Sequence, residues 1–148
     1  MEVRIRHGNN HRSEAIARFH RAVCDRPFDE GGDDHGMTPE ELMLSAVGCC
    51  AMQRAAEYLG AHRLPLEGVE IRISATKSGQ PKRLAEISVE IDAPGLTARA
   101  RQGLLKIVDT CLLYRTLADP PVVKVNLATA VARGQWVKYS TPGKAMCG

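Results

Sequence analysis

Aromatic side chains are scarce. One Trp, three Tyr and two Phe in 148 residues leave no evident platform for stacking a nucleobase or a flavin ring. No run approaches the ~18 consecutive apolar residues that a membrane-spanning helix needs, and "MEVRIRHGNNHRSE" at the N-terminus lacks the apolar centre of a signal peptide. Charge is nearly balanced at +3, with Lys and Arg scattered from Arg4 to Lys144, so there is neither the basic stripe of a nucleic-acid binder nor an acidic tail. The sequence is therefore read as a soluble cytoplasmic protein with no nucleic-acid or membrane partner.

Metal-ligand spacing is sparse. There is no Cys-x-x-Cys, the one His-x-x-x-His (His7 and His11) has no cysteine pair to complete a ligand set, the adjacent Cys49 and Cys50 cannot easily aim at one tetrahedral ion, and His20, Cys24 and His35 are scattered. The acidic loop "GGDDHG" lacks the spaced ligand ladder of a calcium site and reads as a solvated turn. No metal or cofactor is expected. What the chain does have is cysteine: Cys24, Cys49, Cys50, Cys111 and Cys147. In a reducing compartment these do not form a static disulfide framework, and their odd number leaves a free thiol in any monomer, so thiol chemistry has to be weighed.

At 148 residues a single domain, 1–148, is the expectation. Weak alternation in "EVRIR" and "ARFHRAVCD" predicts a short strand or hairpin ahead of the Gly- and Asp-rich loop. The segment Met37 to Gly60 carries helix punctuation: Thr38 as N-cap, Pro39 at the first helical position, Glu41 completing a capping box, and Gly60 as the stop. "VEIRISATKSG" and "RLAEISVEIDAPG" alternate with period two around "KSGQPK" and predict an antiparallel hairpin. From Leu96, apolar residues at 104, 107, 108, 111 and 112 predict one helix through "TARARQGLLKIVDTCLLYRTL", stopped by Asp119-Pro120-Pro121. "VVKVNLATAV" supplies a last strand, followed by a tail holding Trp136, Tyr139 and Cys147. The sum is α+β without a repeated βαβ crossover.

The first helix would be about 33 Å long, so it must lie at the centre of the molecule or be shared with a partner. Met43, Ala46, Val47 and Cys50 form one stripe that continues toward Arg54 and Glu57, while Cys49 points about 100° away.

"TPEELMLSAVGCCAM" resembles the central-helix motif of the OsmC/Ohr family, the osmotically induced and organic-hydroperoxide-resistance proteins. "LEGVEIRI" resembles the strand after that helix, and "DTCLLYRTL" the segment bearing a second cysteine. The likeness spans roughly Phe19 to Val125. It implies an OsmC-like α+β fold, with antiparallel sheets around two central helices in an intertwined homodimer. It also implies a thiol-dependent peroxidase acting on organic hydroperoxides. On this likeness Cys50 is the reactive cysteine, Cys111 its partner and Glu40 the acidic site residue. An N-terminal arginine, Arg21 in preference to Arg18, would organise the thiolate. Leu112 departs from the family's usual proline after the second cysteine. A noncatalytic member binding a small apolar ligand at the dimer cleft is the alternative.

The chemistry is self-consistent. A thiolate attacks the O–O bond, an arginine held by a carboxylate stabilises the thiolate, and a second thiol condenses with the sulfenic acid before over-oxidation. An external thiol or dithiol then restores both cysteines, so no bound cofactor is required. Cys24, Cys49 and Cys147 are read as structural or incidental.

Overall fold

The computed structural model describes residues 1–127 and the backbone of 137–139. Trp136, Cys147 and most of the predicted tail lie outside these residues. The N-terminal segment forms a three-stranded antiparallel meander rather than a single hairpin: β1 (Arg4–His7), β2 (Ser13–Ala17) and β3 (His20–Cys24), in the order β1-β2-β3. The extra strand arises because "GNN" turns the chain with Asn10 in the left-handed region, and Arg18 makes a second tight turn at φ 56°.

After this sheet the chain enters α1 (Pro39–Ala61), and the predicted capping box is present. The Glu41 N–H donates to Thr38 Oγ1 at 3.3 Å, and the Thr38 N–H donates to Glu41 Oε2 at 2.8 Å. Gly60 does not end the helix. It runs one residue further, and the reversal falls at Arg63, whose φ of 54° lets the Leu64 N–H reach back to the Leu59 carbonyl at 2.9 Å.

The predicted hairpin is β4 (Glu70–Ser78) paired with β5 (Arg83–Asp92), their half-buried Ile71, Ile73, Ile87 and Val89 alternating with exposed neighbours. The single helix predicted from Leu96 is two: α2 (Ala98–Val108) and α3 (Leu112–Ala118). Between them the Thr110 hydroxyl donates to the Ile107 carbonyl at 2.6 Å, a local bond that competes with continued helix, and Cys111 turns extended at ψ 132°. The apolar spacing runs straight through this break, so periodicity alone could not reveal it. β6 (Val123–Val125) and β7 (Val137–Tyr139) pair at the end of the described chain.

Small side chains decide how closely these elements pack. Val47, Ala51, Ala55 and Leu59 recur every four residues on one face of α1; all are buried, and the last three meet Ala100, Leu104 and Val108 of α2. Gly103 lets the Tyr58 ring lie across α2, because a Cβ there would collide with the Tyr58 hydroxyl. On another face, a Cβ at Gly48 would stand 2.9 Å from Ile73 Cδ1, so glycine sets the approach of α1 to β4. The β1-β2-β3 sheet makes no extensive contact with any helix among the described residues and joins α1 through a bridge from Cys24 to Met37.

Candidate active site

The fold brings together two cysteines 61 positions apart. Cys50 is half-buried on the middle turns of α1, and Cys111 is the fully buried N-cap residue of α3. Their sulfurs are joined as a disulfide with Cα atoms 6.0 Å apart, inside the usual span for such a bridge. The break after α2 places Cys111 at the corner between α2 and α3, with its sulfur joined to Cys50 of α1. Cys49, adjacent in sequence, is exposed and unpaired among the described residues.

A cavity of about 440 Å³ opens between α1, β5 and α3. It is lined by apolar Met43, Val47, Leu84, Ile87, Tyr114 and Leu117 together with the charged Arg83 and Glu86; Val47 stands one helical turn before Cys50 and Tyr114 three residues after Cys111, and neither cysteine lines it. Its volume falls within the range of small-molecule sites. The Tyr114 hydroxyl is buried without a hydrogen-bond partner among the described residues. Desolvation, with a smaller contribution from the charge of Asp109, pushes its pKa above the ordinary value.

Glu40 lies in the first turn of α1, where its carboxylate accepts from Lys77 Nζ at 3.2 Å. Its own backbone N–H, then Lys77, hold its pKa below the ordinary value. Ten residues separate it from Cys50, about 15 Å along the helix axis, so within one chain it does not reach the thiol. Arg21 lies on β3, where its guanidinium donates to both carboxylate oxygens of Glu14 at 3.0 and 3.1 Å. The single chain therefore assembles the two cysteines but does not gather Glu40 and Arg21 around them. Lys77 was not anticipated from the sequence, because its pairing depends on where the β4–β5 hairpin crosses the start of α1.

The acidic loop is organised by Asp25, 1% exposed. Its carboxylate accepts from the Arg26 N–H at 2.8 Å and the His35 N–H at 3.1 Å. Burial alone would raise its pKa, but backbone N–H groups of His35, Arg26 and Asp33, aided by the His35 ring, bring it below the ordinary value. Asp25, Asp33 and His35 gather their ligand-type atoms within 4.8 Å. The buried Asp25 carboxylate is engaged by the loop's own amides.

An α+β chain with a cysteine pair joining its long helix to the corner of a second helix segment defines a class of thiol-bearing proteins. The OsmC family model, described as OsmC-like protein, matches residues 31–126, and the chain belongs to that family. Its solved relatives share the fold at low identity. A Psychrobacter arcticus protein named for osmotic-stress induction and detoxification response superposes with a TM-score of 0.70 at 15% identity, covering 77% of this chain and 85% of that one. An OsmC-like protein from Mycoplasma pneumoniae gives 0.68 at 19% identity, covering 80% and 87%. An organic hydroperoxide resistance protein from Legionella pneumophila gives 0.57 at 16% identity, covering 79% and 89%. No curated protein matches the sequence.

Proposed function

We propose that the protein is a thiol-dependent peroxidase that reduces organic hydroperoxides, with Cys50 as nucleophile and Cys111 as resolving thiol. The observation that carries this reading is the meeting of two cysteines 61 positions apart, one on α1 and one at the start of α3. In the reduced protein the Cys50 thiolate attacks the terminal oxygen of R–O–OH. The O–O bond breaks, its electron pair leaves with the proximal oxygen, and the alkoxide takes a proton from solvent to give ROH. Cys50 becomes a sulfenic acid; the Cys111 thiol attacks its sulfur, water leaves and the disulfide forms. An external thiol or dithiol regenerates both thiols by exchange. Val47, Leu84 and Ile87 would receive the alkyl group, favouring an organic hydroperoxide over a strongly hydrated oxidant.

The working unit in this proposal is an intertwined homodimer. The chain exposes 12200 Å², against about 7400 Å² expected for a compact monomer of this mass. The excess is larger than the ~3300 Å² that residues 128–148 would present even as a fully extended chain. Large apolar side chains stand exposed among the described residues, including Ile5, Phe19, Phe28 and Met37. A groove of about 620 Å³ lined by Leu44, Gly48, Cys49, Met52, Ile71 and Ile73 runs along a further face of α1. A second copy covering these surfaces would complete the site, because an antiparallel α1 can carry the partner's Glu40 to the turn that holds Cys50.

The test is hydroperoxide consumption with a dithiol reductant. Cys50→Ser should abolish turnover while the far-ultraviolet circular dichroism stays unchanged. If Cys49→Ser is the inactive variant instead, Cys50 is not the nucleophile.

A further inference from the structure

A cation that folding withdraws from water calls for an opposite charge, and one arginine of this chain lacks it. Among the described lysines and arginines, Arg12 and Arg54 are half-buried and the rest are exposed. Arg54 pairs with Glu57, and even the exposed Arg4, Arg21 and Arg72 pair with glutamates, whereas Arg12 has no acidic partner among the described residues. Arg12 lines a cavity of about 440 Å³ together with Arg6, His7, Ser13, Glu14 and His35. Glu14 is the only carboxylate of that lining, and both of its oxygens accept from Arg21 at 3.0 and 3.1 Å. Arg6 stands opposite Glu14 in the β1–β2 register, so three guanidinium groups share one carboxylate.

The cavity is held in shape by the chain around it. The Gly8 N–H donates to the Arg12 carbonyl at 2.8 Å, and a Cβ at Gly8 would stand 3.4 Å from Arg12 Nε, so the Arg12 side chain lies back over the turn between β1 and β2. The Asn10 side-chain amide donates to the Gly31 carbonyl at 3.0 Å, which ties this turn to the acidic loop bearing His35. Asp25 lies 3.6 Å from the His35 ring, but its carboxylate is already engaged by backbone amides. A second basic cavity, lined by Lys77, Lys82 and Arg83, differs in kind: these side chains are exposed and Lys77 holds Glu40, so no cation there is both withdrawn from water and without a partner.

We propose that the cavity between the β1–β2 turn and the acidic loop binds the phosphate group of a small organic phosphate, with Arg12 and Arg6 as its anchors. Two guanidinium forks and the Ser13 hydroxyl offer more donors than the two oxygens of a carboxylate take up, and suit the three terminal oxygens of a phosphate monoester. The volume lies in the small-molecule range and Val23 supplies an apolar wall, so there is room for the organic body beside the anion. The site is independent of the thiols. The test is titration of the isotope-labelled full-length protein with phenyl phosphate and with inorganic phosphate at constant ionic strength, followed by amide chemical shifts. Saturable shifts at Gly8, Ser13 and His35 are expected, with inorganic phosphate binding several-fold more weakly. Arg12→Gln should weaken binding of phenyl phosphate about tenfold or more, and Arg12→Lys should keep part of the affinity. Arg4→Gln, at an arginine paired with Glu2 outside the cavity, should leave it unchanged. No saturable shift at those amides, undiminished binding in Arg12→Gln, or equal weakening by Arg4→Gln would overturn the site. Inorganic phosphate binding as tightly as the ester would overturn the assignment to an organic phosphate.

Discussion

At the scale of single residues, burial and hydrogen bonding separate side chains that look alike in sequence. Cys49 and Cys50 are neighbours, yet one is exposed beside an apolar groove and the other is joined to Cys111. A one-residue step on a helix rotates the side chain by about 100°, which is why the helical stripe through Met43, Val47 and Cys50 already distinguished them. Asp25 is a contrary case, because nothing in "GGDDHG" reveals that a residue six positions earlier organises the loop. Its lowered pKa fixes the direction of a pH effect: the stabilisation is fully present above the ordinary carboxylate value and is lost as pH falls through the lowered one. Amide exchange at Arg26 and His35 should therefore accelerate in that acid window, after correction for intrinsic rates. Asp25→Asn should accelerate it at neutral pH as well, because the amide replaces a charged acceptor of backbone N–H groups with a weaker one.

At the scale of elements, α1 and the β4–β5 hairpin were legible because capping chemistry and period-two alternation are local signals. The break between α2 and α3 was not, since the Thr110 side-chain bond and the corner at Cys111 leave the apolar period intact. That corner also accounts for Leu112 where the family usually has proline. Leu112 is the first residue of α3, a position at which the backbone N–H has no intrahelical partner, and the extended ψ of Cys111 suits a residue that precedes proline. Leu112→Pro should accordingly keep the fold, shifting the melting temperature by no more than a few degrees. A collapse of the α3 signal in its amide exchange would contradict this account of the corner. Cys111→Ala should retain one rapid oxidation by hydroperoxide and lose multiple turnover, with Cys50 advancing to sulfinic acid under excess oxidant. Undiminished steady-state turnover in that variant would mean that an external thiol resolves the sulfenic acid directly.

At the scale of the whole molecule, the sequence pointed to the cysteine pair through spaced motifs. The rest of the expected site is not assembled in the single chain. Glu40 and Arg21 are held by Lys77 and Glu14, away from Cys50, and periodicity within one chain carries no information about what a second chain would bring. If the site is shared between copies, Glu40→Gln and Cys50→Ser, each inactive alone, should complement when co-expressed. Random pairing would restore roughly a quarter of wild-type turnover, since half the dimers would contain one intact site. Absence of recovery, with mixed dimers verified by mass, would place Glu40 in the same-chain site or outside the chemistry. The account rests on one claim above the others, that Cys50 and Cys111 form a working redox pair. The direct measurement is peptide mass spectrometry of the fully reduced protein after one equivalent of cumene hydroperoxide. The account predicts loss of both thiols, a Cys50–Cys111 linked peptide and one equivalent of cumyl alcohol; two unreacted thiols with the hydroperoxide intact would contradict it.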